Sequence, residues 1–231
     1  MNASESILKI LSLLALTAAL AGVGIQSSNA ARRDASPVTT VLVLGDSLSD
    51  GFRLNRSQAY PALLSKKCQE MGLHVEIINA SASGGTTAGG LQRLPKHLAL
   101  PIDVLILELG INDAFRGVPV DQIRANLQAI IDRTRARHPK AEIVVAGMQL
   151  PIYGADGYVR AFGEMFGDLA TKNHAALIPY LLAGVGGDPN LNLDDLIHPN
   201  AAGHRVLAEN VWSALEPVLR KATAATPAHV E

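Results

Sequence analysis

The sequence has little cysteine and no excess of charge of either sign. Its 231 residues include a single cysteine, Cys68, so the chain cannot form a disulfide within itself. The 20 basic residues are balanced by 21 acidic ones, which provides no basic face for nucleic acid and no polybasic segment for anionic lipid. We therefore expect a small or weakly charged molecule as the partner, and no nucleic acid.

Sequence motifs for common cofactors are also missing. The glycine-rich segment 79–90 lacks both the Gly-Lys-Ser/Thr ending of a P-loop and the Gly-x-Gly-x-x-Gly spacing of a dinucleotide fold. Asp195, His198 and His204 do not follow the spacing of the usual zinc sites. We expect no cofactor and no metal, and a plain glycine-rich turn remains an alternative for segment 79–90.

The first 30 residues have the pattern of an export signal. Lys9 precedes an apolar stretch, residues 10–25, that is too short for a comfortable membrane span. Ser28 and Ala30 then have the small-residue spacing that a signal peptidase recognises. We predict cleavage after Ala30, a short tether over residues 31–38, and export to the periplasm or beyond without stable membrane insertion. An uncleaved N-terminal anchor is the alternative.

From Thr39 onward, short apolar runs alternate with longer amphipathic segments, which is typical of a parallel α/β sheet. Most of the runs are almost wholly apolar, as strands covered on both faces must be. The pattern predicts strands at 40–45, 74–79, 104–109, 143–147 and 175–178, and helices near 59–71, 88–98, 121–137, 157–173 and 201–219. We predict one three-layer α/β/α domain over residues 39–220, built on a mostly parallel five-stranded sheet, with a C-terminal tail over 221–231.

Three of the predicted strands are followed by residues that could form a site at the carboxyl edge of the sheet. Ser47 follows the first strand, Gly84 lies in the loop after the second, and Asn112 follows the third. Loops and helix N-termini converge at this edge, so a serine there would lie close to backbone N–H groups. Taken alone, Gly-Asp-Ser favours an ordinary turn or cap, and Asn112 is equally compatible with an Asx turn.

An aspartate and a histidine lie three residues apart just before the last predicted helix. One turn of chain can bring the Asp195 carboxylate onto the imidazole of His198. A serine hydroxyl is a poor nucleophile until a base takes its proton, and a third group must hold that base in the right tautomer. Ser47, His198 and Asp195 supply these three roles. The six other histidines lack such a partner, and we interpret them as surface or packing residues.

Four sequence blocks, in this order, resemble those of the SGNH (GDSL) hydrolase family. They are Gly45-Asp46-Ser47-Leu48, Gly84, Gly110-Ile111-Asn112-Asp113 and Asp195-Leu196-Ile197-His198-Pro199. The similarity covers about residues 39–219 and is closest to the bacterial periplasmic branch of acyl-CoA thioesterases, lysophospholipases and arylesterases. Ser47 is not part of the Gly-x-Ser-x-Gly elbow of the α/β-hydrolases.

The resemblance implies a flavodoxin-like three-layer fold and a role for each matching residue. Ser47 would be the nucleophile, His198 the general base and then acid, and Asp195 the residue that orients His198. The oxyanion hole would consist of the Ser47 N–H, the Gly84 N–H and the Asn112 amide. Two residues depart from the branch pattern, Gly85 after the oxyanion glycine and Ile111 where glycine is common, and these put substrate positioning in doubt, but not the triad.

The resemblance also implies an esterase of broad acyl tolerance that acts on aryl esters, acyl thioesters and lysophospholipids through an acyl-serine intermediate. We expect the protein to be a monomer. The segment 150–158 is similar to the acyl-pocket loop of the branch, so Leu150, Pro151 and Tyr153 are expected to contact the substrate. A simple mobile connection is the alternative for this loop. The alternative functions are a carbohydrate O-acetyl esterase and a noncatalytic exported binding protein with the same fold.

Overall fold

The computed structural model describes residues 38–150 and 157–224 of the chain. Several sequence predictions lie outside these residues: the export signal, the tether up to residue 37, Pro151 and Tyr153 of the expected substrate loop, and the tail from residue 225. Within the described residues, no helix has the length and apolar character that a membrane span requires.

Five strands form one parallel sheet in the order β2-β1-β3-β4-β5. The strands are β1 (Thr39–Gly45), β2 (Val75–Asn79), β3 (Val104–Glu108), β4 (Glu142–Ala146) and β5 (Ala176–Ile178). Every residue of β1 and β3 is buried because these central strands have a neighbour on each side and helices above and below. The predicted sheet is confirmed, and each strand begins and ends within one residue of its expected bounds.

Seven helices accompany the sheet in the described residues. They are α1 (Ser47–Asp50), α2 (Tyr60–Glu70), α3 (Thr87–His97), α4 (Ile111–Phe115), α5 (Val120–Arg137), α6 (Gly157–Lys172) and α7 (Ala201–Ala224). A single 3₁₀ turn over Arg56–Gln58 precedes α2. In one layer α3 contacts α5 and α5 contacts α6, while α2 and α7 pack together in the other. The predicted three-layer α/β/α fold is confirmed.

The last helix continues past its predicted end at residue 219. The sequence predicts a tail over residues 221–231, but residues 221–224 are the final turn of α7. Two contacts stabilise this turn. Ala222 packs against the hydrophobic core, and Lys221 Nζ lies 2.6 Å from Glu142 Oε1 at the start of β4.

The direction of the chain changes between β1 and β3, which places a crevice at their carboxyl ends. The chain leaves β1 for β2 on one side and then crosses to β3 on the other side of β1. Loops that leave neighbouring parallel strands in opposite directions separate at this point, and ligands of open α/β sheets bind there. The loops after β1, β2 and β3 carry Ser47, Gly84 and Asn112.

His204 of α7 is a packing residue whose burial makes the stability of the fold depend on pH. Its Nδ1 accepts a hydrogen bond of 3.2 Å from Tyr60 N, and burial lowers the pKa of His204 from 6.5 to about 4. In the unfolded chain His204 therefore takes up a proton below pH 6.5, whereas in the folded chain it does so only near pH 4. Stability from this residue is full above pH 6.5 and falls as the pH decreases toward 4.

We expect this effect to lower the free energy of unfolding by about 2–3 kcal/mol at pH 4.5 relative to pH 7. Urea unfolding of the wild type and of His204→Gln at the two pH values measures the contribution of His204. The other titrating groups are the same in both proteins, so the difference between their losses of stability comes from this residue. The variant should lose less stability between the two pH values than the wild type. The exposed His74→Gln serves as the control and should lose as much as the wild type. Equal losses in wild type and His204→Gln would contradict this account.

Candidate active site

Ser47 begins α1 immediately after the turn that ends β1. Asp46 caps this helix, because its Oδ1 accepts a hydrogen bond of 3.0 Å from Leu48 N. Gly45 allows the turn, since a Cβ at this position would collide with Ser49 Oγ and would lie 2.5 Å from Glu108 Oε2. Ser47 as a whole residue is 7% exposed, and the helix places its side chain at the crevice between β1 and β3.

The structure brings together the three residues for which the sequence predicts a triad. His198 Nε2 lies 3.1 Å from Ser47 Oγ, and His198 Nδ1 lies 2.8 Å from Asp195 Oδ2. The second oxygen of Asp195 accepts hydrogen bonds of 2.9 Å from both Ile197 N and His198 N. One carboxylate therefore holds the backbone of this turn and the imidazole at once.

The hydrogen bonds to Asp195 also fix its charge and the tautomer of His198. Partial burial raises the pKa of Asp195, but the hydrogen bonds from His198 and Ile197 outweigh it and lower the pKa to about 2. At neutral pH the carboxylate is ionised and can only accept, so Nδ1 of His198 carries the proton of the shared bond. The free lone pair is then on Nε2, toward the hydroxyl of Ser47.

The loop that carries Asp195 and His198 is fastened at both ends. Asn192 and Pro199 form an isolated antiparallel bridge, and Leu193 N donates to His198 O at 2.8 Å. Asn200 then caps α7 through hydrogen bonds from the N–H groups of residues 202 and 203. These hydrogen bonds at both ends of the loop hold the His198 imidazole in position in the absence of a substrate.

The two backbone N–H groups predicted for the oxyanion hole are available. Among the hydrogen bonds of residues 38–150 and 157–224, none is donated by Ser47 N or Gly84 N. Gly84 has φ +74, a conformation that L side chains rarely adopt. The loop of Gly84 is tied to α1, because Ser83 Oγ donates to Asp50 Oδ2 at 2.8 Å.

The Asn112 amide lies between the two loops but is already engaged. Its Nδ2 donates to Asp46 Oδ2 at 3.0 Å and to Gly85 O at 3.2 Å. If Asn112 is an oxyanion donor, its longer hydrogen bond, to Gly85 O, must be shared with the substrate oxygen or replaced by a bond to it. The neighbouring Asp113 is buried and accepts from Thr87 N at 2.8 Å and Thr87 Oγ1 at 2.6 Å, which joins α4 to the start of α3.

Comparison with known proteins identifies the family. A model of the GDSL-like lipase/acylhydrolase family matches residues 43–206. The chain belongs to this family. "Esterase TesA" of Pseudomonas aeruginosa is 41% identical over 78% of this chain and 89% of its own length. "Thioesterase 1/protease 1/lysophospholipase L1" of Escherichia coli (strain K12) is 36% identical over 80% of this chain and 87% of its own length.

A solved structure supports the same assignment for the fold. The crystal structure of TesA superposes with a TM-score of 0.74 at 40% identity and covers 78% of this chain and 99% of the TesA chain. The resemblance to the GDSL hydrolases that the sequence indicates is therefore confirmed. The roles of the individual residues stay predictions.

The expected substrate loop is only partly described in this GDSL hydrolase. Leu150 is half-buried and packs against the hydrophobic core, whereas Pro151 and Tyr153 lie outside the described residues. A role of Leu150 in substrate binding stays a prediction. Among the described residues, no group of three or more His, Cys, Asp or Glu side chains is arranged to hold a metal ion.

Several residues around the predicted triad were not predicted from the sequence. The Phe52 ring packs on the His198 ring with centroids 4.4 Å apart, and the Arg53 guanidinium lies 5.1 Å from the Phe52 centroid. Glu108, the last residue of β3, is fully buried, and its Oε2 accepts a hydrogen bond of 3.0 Å from Asp46 N, the residue before Ser47. No sequence signal pointed to Phe52, but an acidic residue at the end of the apolar strand Val104–Glu108 was a signal for Glu108.

Proposed function

We propose that this carboxylic ester hydrolase cleaves small-molecule acyl esters and thioesters through an acyl-serine intermediate on Ser47. The observation that carries the proposal is the unbroken path of hydrogen bonds from Ser47 Oγ through the imidazole of His198 to the carboxylate of Asp195. That path connects a nucleophile, a base and a group that orients the base.

In the proposed reaction, His198 Nε2 takes the proton of the Ser47 hydroxyl while Oγ attacks the acyl carbonyl carbon. The negative charge of the tetrahedral intermediate falls on the former carbonyl oxygen, which the N–H groups of Ser47 and Gly84 and the Asn112 amide stabilise. His198 then returns the proton to the leaving alcohol or thiol. Water repeats these steps on the acyl-enzyme, which releases the acid and restores Ser47.

The proposed substrates are aryl esters, acyl thioesters and lysophospholipids, with broad tolerance of the acyl chain. Support comes from the relatives, which are named esterase, thioesterase and lysophospholipase, and a further relative of Vibrio mimicus, 35% identical, is named arylesterase. We also propose that the protein acts as a monomer and is exported to the periplasm after cleavage behind Ala30. Support for export is the signal-like sequence of residues 1–30.

Hydrolysis of p-nitrophenyl esters from acetate to palmitate by the purified chain lacking residues 1–30 tests the proposed function. We expect turnover of both short and medium acyl chains, and turnover of an acyl-CoA thioester by the same preparation. Activity confined to acetate would favour the alternative, an O-acetyl esterase. No hydrolysis of any ester by the wild type would contradict the proposal.

A further inference from the structure

We propose that Glu108 is held in its protonated form beside the carboxylate of Asp46, and that the two residues position the turn that carries the nucleophile. Glu108 does not touch the proposed reacting atoms and acts through its neighbours, so its role is that of a positioning residue. The functional part of this inference rests on the proposed function, while the assignment of the proton does not.

The contacts of the two oxygens of Glu108 indicate where the proton lies. Oε2 accepts hydrogen bonds from Asp46 N at 3.0 Å and from Ser49 Oγ at 2.6 Å. Oε1 is buried and receives no hydrogen bond from any N–H or O–H group of the described residues. Asp46, by contrast, has a donor on each carboxyl oxygen, Leu48 N on Oδ1 and Asn112 Nδ2 on Oδ2. A buried carboxylate needs hydrogen bonds to keep its charge, so the oxygen without a donor indicates that Glu108 is the protonated member.

Charge balance around the pair supports one proton and one negative charge. The groups that face it are the Arg93 guanidinium, the Tyr60 hydroxyl and, more weakly, His198. Arg93 Nη2 donates to Gly45 O at 2.5 Å and its Nε donates to a second backbone carbonyl, so it gives no hydrogen bond to either carboxyl group. One half-buried cation compensates one carboxylate, and a second buried carboxylate would have no counter-charge.

Glu108 is the member of the pair that keeps the proton. Its complete burial, followed by the charge of Asp46, raises the pKa of Glu108 well above the usual range. Burial also raises the pKa of Asp46, but hydrogen bonds from Leu48 N and Asn112 oppose this, and the pKa is about 6. Asp46, with a hydrogen-bond donor on each oxygen, is therefore the member that ionises, and Glu108 is the member that stays an acid.

The two carboxyl groups belong to a hydrogen-bond network on both sides of the proposed nucleophile. Asp46 precedes Ser47 and holds both Leu48 N and the Asn112 amide. Ser49 lies two residues after Ser47, and its Oγ lies 2.6 Å from both Glu108 Oε2 and the hydroxyl of Tyr60. Glu108 thus fixes the start of α1 relative to β3, and Asp46 fixes it relative to α4.

Two substitutions of Glu108 separate its hydrogen bonding from its charge. Glu108→Gln keeps one donor and one acceptor in nearly the same shape, so kcat should stay close to that of the wild type. Glu108→Leu removes both, and displacement of the turn should lower kcat on the order of 10²-fold with little change in KM. Urea unfolding of both variants shows whether they remain folded, and Glu108→Gln keeps the test valid if Glu108→Leu does not fold.

Infrared difference spectroscopy tests the proton itself. At pH 7 ordinary glutamates are ionised, so we expect a protonated-carboxyl band in the wild type that is lost in Glu108→Gln. The control, Glu76→Gln at an exposed position of β2, should keep the band. The proposal is overturned if the wild type lacks the band, or if Glu108→Gln loses as much activity as Glu108→Leu. If the band is present but the wild type hydrolyses no ester, the proposed function fails and the proton assignment stands.

Discussion

Replacing Ser47 by alanine is expected to lower kcat for p-nitrophenyl esters by about 10⁶-fold, because it removes the hydroxyl that we propose forms the acyl-enzyme. The hydroxyl is bonded to His198 Nε2 at 3.1 Å, and its loss leaves the rest of the site in place. The residual rate should come from water and from the oxyanion donors alone. Steady-state kinetics of wild type and variant at neutral pH give the ratio.

A serine elsewhere in the chain provides the matched control for this loss. Ser213 lies on the exposed face of α7, and Ser213→Ala should have the kcat and KM of the wild type. The free energy of unfolding of Ser47→Ala should also stay near the wild-type value, so that its inactivity cannot be explained by unfolding. If Ser47→Ala keeps a large part of the wild-type kcat, another residue is the nucleophile and the triad assignment is wrong.

Replacing Asp195 by asparagine is expected to lower kcat by about 10⁴-fold. The carboxylate accepts the Nδ1 proton of His198 at 2.8 Å, whereas an amide can turn its N–H groups toward Nδ1. The imidazole proton would then be on Nε2, facing Ser47 Oγ, and the ring could no longer act as a base. An asparagine oxygen can still accept from Ile197 N and His198 N, so the turn itself should persist.

The neighbouring Asp194 offers a control at the same place in the chain. Its side chain is exposed, and Asp194→Asn has the same change in charge and size as Asp195→Asn. We expect kcat of Asp194→Asn to match that of the wild type. Equal losses in the two variants would show that general charge, and not the tautomer of His198, determines activity.

The sheet and the long helices could be predicted because periodicity alone determines them. Buried parallel strands are continuous apolar runs, and helices such as Val120–Arg137 show one apolar face over many turns. Helices α1 and α4 have four and five residues, too few to show a helical period, and were not predicted. They begin after the N-cap residues Asp46 and Gly110, which follow β1 and β3 and turn the chain into the crevice.

The positions of the triad residues could be predicted, but much of their surroundings could not. Ser47 and the Asp195–His198 pair stand at strand and helix ends, where the direction of the chain limits where side chains can lie. The contact between Phe52 and His198 joins residues 146 positions apart in sequence (198 − 52), and no local pattern encodes it. Glu108 was a visible exception in an apolar strand, but only the structure shows that its carboxyl group accepts hydrogen bonds from Asp46 N and Ser49 Oγ.

Covalent labelling of the purified chain with a p-nitrophenyl alkylphosphonate tests the central claim most directly. A serine activated by His198 should displace p-nitrophenol and keep the phosphonyl group. We expect one equivalent of p-nitrophenol per chain, complete loss of esterase activity, and a mass increase confined to the peptide that contains Ser47. An adduct on a different residue, or unchanged labelling of His198→Ala, would contradict the assignment of Ser47 as the activated nucleophile.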